Sequence, residues 1–165
     1  MIELLLGQVP MLRDFPAHDI SVIAGVTRML EFTDGTPIIE QGEKPRAAYI
    51  LLDGQVEVVR RLPGGGRTRL CVLDPGVLFG TVALIDGGSR SAGCVALGHV
   101  RVAELSADDF QRLSSAATPL GTRFQLAVVR QLIRDLRGTN TRIAELASFG
   151  SLGAEELSST LSGLA

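Results

Sequence analysis

Between Leu78 and Val95 the chain reads LFGTVALIDGGSRSAGCV, and the residue types there suit the capture of one phosphate. Phe79-Gly80 places a glycine where the backbone must come close to a ligand or take a conformation closed to other residues. One apolar turn follows, Val82-Ala83-Leu84-Ile85, and then a loose Asp86-Gly87-Gly88-Ser89. A short helix opening after the glycine offers unpaired N–H groups and a positive dipole end, which together favour an anion. Arg90 adds a fixed, forked cation and Ser91 one more hydroxyl donor. The candidate ligand contacts are therefore Phe79, Gly80, Thr81, Val82, Arg90, Ser91 and Ala92.

Around this stretch the sequence alternates short strands with turn signals. From Thr27 to Leu105, alternating runs such as Val56-Glu57-Val58 and Thr68-Arg69-Leu70-Cys71-Val72 predict a closed or double-layered β-fold. Asp34-Gly35 and Asp53-Gly54 read as turns, the second as a hairpin, and His99 is expected at a turn before the last strand, Val100-Arg101-Val102. Pro63-Gly64-Gly65-Gly66 reads as a hairpin tip, because no Lys-Ser/Thr and helix follow it as a phosphate loop requires. Residues 2–14 show no strand alternation and are read as an apolar cover, with Val9-Pro10-Met11-Leu12 on the β-fold. A helix from Pro16 to about Ala24 buries Ile20 and Ile23 and leaves His18 on the surface. Ser106-Ala107-Asp108-Asp109 is a variant capping box that starts a helix through about Ser115, with Phe110 and Leu113 facing the β-fold.

Pro119 opens the longest helix. Leu126, Val129, Ile133, Leu136, Asn140, Ile143 and Ala147 recur in alternating steps of three and four. That stripe predicts a coiled-coil seam and a parallel homodimer, whereas a helix lying on its own barrel needs a wider apolar face. Asn140 is the polar position that fixes register and partner number. Five arginines (123, 130, 134, 137, 142) against Asp135 and Glu145 give this helix a local charge of +3 and are read as a solvated face. After Ala147 the composition turns to serine, glycine and alanine, with Leu157, Leu161 and Leu164 spaced for one face of a short helix. The organisation expected is 1–118 for the β-fold with short flanking helices, 119–147 for the dimer helix and 148–165 for a tail.

Bulk properties narrow the classes. At 165 residues the chain holds one domain with a real core, and 19 glycines with no tryptophan suit a fold rich in tight turns. A net charge of −2 makes no electrostatic case for nucleic acid. Two cysteines, Cys71 and Cys94, make no disulfide framework and are read as buried thiols in a reducing compartment. Two histidines without cysteine–histidine spacing predict no metal site. No apolar run reaches membrane length and the start lacks a signal peptide's basic region, so a cytoplasmic protein without membrane contact is expected. No nucleophile–base pair can be placed, and no enzyme is expected.

The order F-G-x-x-A-L-x-x-x-x-x-R-S-A from Phe79 to Ala92 resembles the phosphate-binding cassette of cyclic nucleotide-binding domains, the family of cAMP-dependent kinase regulatory subunits and bacterial cAMP receptor proteins. Gly35-x-x-Ile38-x-x-Gln41-Gly42-Glu43, Tyr49-Ile50-Leu51, Gly54-x-Val56-x-Val58 and Leu73-x-x-Gly76 fall in that family's order, so the resemblance covers roughly residues 10 to 147. It implies a mainly β double-stranded β-helix, or jelly roll, with flanking helices and a long C-terminal dimerisation helix. It also implies a cyclic nucleotide as ligand, cAMP foremost, with cGMP, a cyclic dinucleotide or another anionic metabolite open. Where the family has a glutamate for the ribose 2′-hydroxyl, this chain has Thr81. A hydrogen bond to a charged acceptor contributes about 1.5–3 kcal/mol, so its loss weakens binding roughly tenfold to a hundredfold.

In the receptor proteins a Thr-Ser pair on the dimer helix touches the adenine, and Thr139-Asn140 stand at that place here. Taken without the resemblance, the two are a polar patch of the seam beside the helix-weakening Gly138. The 18 residues after Ala147 are too few for the helix-turn-helix domain of the family's transcription factors, so DNA binding by this chain alone is not expected. The function implied is a second-messenger sensor whose homodimer is read by an unidentified effector protein. The alternative is a dimeric interaction module that keeps the fold and binds no nucleotide, in which case Arg90 must turn outward or pair with Asp86.

Overall fold

The computed structural model describes the backbone of residues 1–162 and the side chains of residues 1–148. Two compact units divide the chain at Val128/Val129. The first holds helix α1 (Ile2–Gln8), a 3-10 turn (Pro10–Leu12), α2 (Ala17–Gly25), strands β1 (Thr27–Phe32), β2 (Pro37–Ile39), β3 (Ala47–Arg61), β4 (Arg67–Leu73) and β5 (Leu78–Phe79), then α3 (Val82–Asp86), β6 (Gly93–Ser106), α4 (Ala107–Ser115) and the start of α5 (Pro119–Ser162). The second unit carries the rest of α5, which continues through the composition change at Ser148. The face expected from Leu157, Leu161 and Leu164 lies outside the described side chains.

All strands join one six-stranded antiparallel sheet in the order β1-β6-β3-β4, with β2 also on β6 and β5 also on β3. The mainly β roll with flanking helices and a long C-terminal helix is therefore the architecture observed. Its spine is β3 against β6, two long strands whose inward positions Ala47, Tyr49, Leu51, Val56, Cys94, Ala96, Val100 and Val102 form one core with Ile39 and Phe79. Alternation places every second residue of such strands on the same face, and in the first part of β3 both faces are covered, since Ala48 and Ile50 are buried as well.

Two expected turns lie inside these strands. Gly54, read as a hairpin corner, sits within β3, and His99 sits within β6. Pairing jumps from Asp53↔Arg101 to Gln55↔Leu97, so extra β6 residues bulge against Gly54. Gly54 and Gly98 take φ +80° and +68°, and a Cβ on Gly54 would lie 2.3 Å from the His99 carbonyl oxygen. The glycine marks a bend in a continuous strand because the opposing backbone occupies the space a side chain needs.

The N-terminal cover is helical at residues 2–8, which the lack of strand alternation left open, and it buries Leu6. Val9, Met11 and Leu12 are buried as expected, and Pro10 lies against Gly76, where a Cβ would come within 2.5 Å of the Pro10 Cδ. In α2 the buried residues are Ile23 and Asp19, with Ile20 only half-buried. Asp19 accepts from Arg123 Nε at 2.7 Å and from its Nη2, so Arg123 leaves the solvated set expected for the arginines of α5. Ser106 caps α4 as expected: its Oγ accepts from Asp109 N at 3.1 Å and donates to Asp109 Oδ2 at 2.7 Å. Phe110 and Leu113 are buried, and Phe110 meets Phe124 edge-on at 5.7 Å.

Gly54→Ala must combine a positive φ with a backbone overlap, and it is expected to destabilise the fold by at least about 1–3 kcal/mol. Gly138→Ala, in helix with open space around it, is expected to add about 0.5–1 kcal/mol. Urea unfolding of both variants beside the parent chain checks the contrast.

Candidate functional site

Of the cassette residues, Gly80 and Arg90 meet directly, beside Phe79. Phe79, on the two-residue β5 that pairs with β3, is buried and stacks on Tyr49 with ring centroids 5.5 Å apart. Gly80 follows at φ +77°, and a Cβ there would sit 2.9 Å from Ile39 Cδ1 and 3.0 Å from Arg90 Nη1. The glycine expected on chemical grounds is thus required by two neighbours, one of them the cassette's own cation. Thr81 caps α3, whose Leu84 and Ile85 amides donate to the Thr81 carbonyl at 3.0 and 3.1 Å. Its side chain is 5% exposed and makes no cap hydrogen bond.

Arg90 is the best-held residue of the group. It is 6% exposed; Nη1 donates to the Gly80 carbonyl and Nη2 to the Ala47 carbonyl. Its backbone is clamped as well, with Arg90 N donating to Glu43 O at 2.9 Å and Gly42 N donating to Arg90 O at 2.8 Å. Among the described residues no carboxylate lies within salt-bridge distance of it. Burial pulls its guanidinium below the usual arginine range, while Tyr49, Cys94 and Glu43 work in the opposite direction. Asp86 does not pair with it; the Asp86 Oδ1 accepts from Gly88 N at 2.8 Å and closes the loop after α3. Ser91 and Val82 are exposed and Ala92 is half-buried, so the rim of the cassette is open while its floor is closed.

Ala47, Tyr49, Ile39 and Glu43 support this site, and of these only Tyr49 and Glu43 stood in a motif, neither as a site residue. Ala47 acts through its carbonyl, which no side-chain pattern reports. Gly42 and Glu43 carried a trace, as the Gln41-Gly42-Glu43 turn, and the structure shows what that turn does: it holds Arg90 by its main chain. Burial, and then the charge of Glu104, pushes the Tyr49 phenol up.

Thr139 and Asn140 belong to the second unit, and both are exposed. Thr139 Oγ1 donates to the Asp135 carbonyl at 2.9 Å. The stripe Leu126, Val129, Ile133, Leu136, Asn140, Ile143 and Ala147 is exposed throughout, with Leu136 61% and Ile143 59% exposed. Ala127 and Val128 beside it are buried, so apolar residues occupy two faces of α5. Among the described residues no group of three His, Cys, Asp or Glu could hold a metal ion, and no helix is long and apolar enough to cross a membrane.

The sequence profile of the Cyclic nucleotide-binding domain matches residues 29–116, from β1 to the end of α4. The chain belongs to this family. It is 27% identical over 135 residues to the CRP-like cAMP-activated global transcriptional regulator of Mycobacterium tuberculosis, covering 80% of this chain and 58% of that protein. The regulatory domain of Toxoplasma gondii PKA with cAMP superposes at TM-score 0.67 and 28% identity, over 79% of this chain and 48% of that one. The regulatory subunit of a cAMP-independent protein kinase A from Trypanosoma cruzi bound to guanosine superposes at TM-score 0.60 and 26% identity, over 77% and 48%. The chain thus spans about half the length of these three proteins.

Cys94 is 6% exposed and burial pushes its thiol up to about 12, whereas Cys71 is half-buried. Because the thiolate is the reactive form, one thiol per chain is expected to react with a disulfide reagent at pH 8 in the native state. The second should appear only on unfolding, and a thiol count before and after urea decides it.

Proposed function

We propose that the chain is a cyclic nucleotide sensor, with cAMP the first ligand to consider, acting as a homodimer read by a partner protein. One observation carries this reading. Arg90 is a buried cation whose guanidinium meets only neutral carbonyls, with no carboxylate in bonding range among the described residues. Leaving a charge in that setting is costly, and an anion beside it recovers the cost. A cyclic phosphate fits the cation, the Ser91 hydroxyl at the open rim and the backbone at Gly80 and Thr81. Guanosine, bound by the Trypanosoma cruzi protein, carries no phosphate; a complete Arg90 anchor favours ligands that do.

The second reading, a fold kept as a dimeric module without nucleotide, draws on Thr81 standing where the family has glutamate. That module needs Arg90 turned outward or joined to Asp86, and neither arrangement occurs. Thr81 then sets affinity, leaving the sugar without a charged acceptor. Thr139 and Asn140 are proposed to meet the base from the dimer helix. Such contacts would bias the equilibrium between two subunit arrangements, and the partner protein would read that change.

Calorimetric titration with cAMP and cGMP tests the ligand. Micromolar cAMP binding is expected, weakened by Arg90→Lys, which keeps the charge and loses the fork. Thr81→Glu should tighten it roughly tenfold to a hundredfold. No heat up to millimolar ligand, in the parent chain and in Thr81→Glu alike, overturns the sensor. The dimer is tested by light scattering: twice the chain mass is expected, falling to the monomer in Leu136→Asp, and a monomeric parent chain overturns the seam.

A further inference from the structure

A cavity of about 110 Å³ is lined by residues of β2, β3, β4 and β6, and of the cassette's neighbours it touches Ile39. Cys94 and Ala96 of β6 point into the core, so the alternate residues Gly93 and Val95 face outward, and both line this cavity. Gly35 and Gly93 leave its floor without side chains. A Cβ on Gly93 would come within 3.3 Å of the Ile39 carbonyl oxygen and 3.4 Å of Val59 Cγ2. Pro37, Val59 and Val95 form apolar walls.

The rim is cationic. Arg61 and Arg67, directly opposite in the β3–β4 register, both line the cavity. Like charges facing each other across two strands destabilise the pair unless something of opposite sign lies between them. Glu40, also on the rim, approaches Arg61 only at 3.6 Å, and among the described residues Arg67 has no carboxylate in range. Gln41 is held in place, its Oε1 accepting from Arg61 N at 2.7 Å. Two cations over short apolar walls match an anion that has an apolar end.

We propose that this cavity is a second ligand site, distinct from the cassette, for a small carboxylate with a short apolar tail. The carboxylate bridges Arg61 and Arg67, and the tail enters between Pro37, Val59 and Val95. A phosphate would satisfy the rim and leave the walls unused, and a cation of the same length would be repelled.

Amide-detected nuclear magnetic resonance of the full chain, titrated with butyrate, inorganic phosphate and n-butylamine, tests this. Butyrate is expected to give saturable shifts at Gly35, Gln41, Val59 and Gly93, in the millimolar range or tighter, with none from n-butylamine. Arg67→Gln, at an exposed position that leaves the fold intact, should weaken butyrate roughly tenfold or more through loss of a charge-assisted bond. Shifts that fail to saturate, that persist unchanged in Arg67→Gln, or that centre on Gly80 to Ser91 overturn the site. Phosphate binding more tightly than butyrate overturns the ligand class.

Discussion

An arginine side chain carries five N–H donors and a charge that cannot be shed, so burying one obliges its surroundings to supply acceptors in the plane of the guanidinium. At Arg90 the acceptors are the main-chain carbonyls of Gly80 and Ala47, and each makes a demand on the fold. The Gly80 carbonyl can reach the guanidinium only because residue 80 has no Cβ, which would press on Arg90 and Ile39. The Ala47 carbonyl belongs to the first residue of β3, whose register partner is Ser106, the N-cap of α4. Arg90 is therefore tied at once to the cassette, to the spine of the roll and, through one register pair, to the helix that follows it. The Gln41-Gly42-Glu43 turn closes the arrangement by pairing with the Arg90 main chain.

The helices of the first unit are set by a second polar anchor. Asp19 in α2 is 5% exposed and both of its contacts come from Arg123, at the start of α5. Gly121 lies close beneath Ala116, where a Cβ would be 2.1 Å from the carbonyl oxygen, and its N–H donates to Thr118 Oγ1 at 3.0 Å. Phe124 is fully buried against Phe110. A glycine corner, an ion pair and an aromatic contact thus hold the first turns of α5, with the start of the exposed stripe at Leu126 immediately after them.

Local chemistry was legible in the sequence wherever a residue's task is local. Gly80 beside Arg90 and the Ser106–Asp109 cap each announce themselves within a few residues. Long-range tasks did not show. Arg123 reads as one more arginine on a helix face because its partner is 104 residues away. Asp19 reads as a first-turn acid for the same reason. Gly54 reads as a hairpin corner since Asp-Gly between apolar runs looks the same whether the chain reverses or bends; the carbonyl that decides the matter is that of His99. Residues 2–8 lack strand alternation, which excludes one period without establishing another.

The division between floor and rim at the cassette has a consequence for how such a site changes over sequence space. Arg90 is held by main-chain carbonyls and a main-chain clamp, so its anchor rests on the backbone and on the missing Cβ at residue 80 rather than on a neighbouring side-chain acceptor. Thr81 is held by its backbone too, as the cap of α3, and its side chain makes no cap hydrogen bond. The Arg90 anchor is thereby built into the path of the chain, and the backbone at Thr81 is set by the start of α3 rather than by that buried side chain. A guanidinium held in this way depends on the course of the main chain more than on the side chains around it.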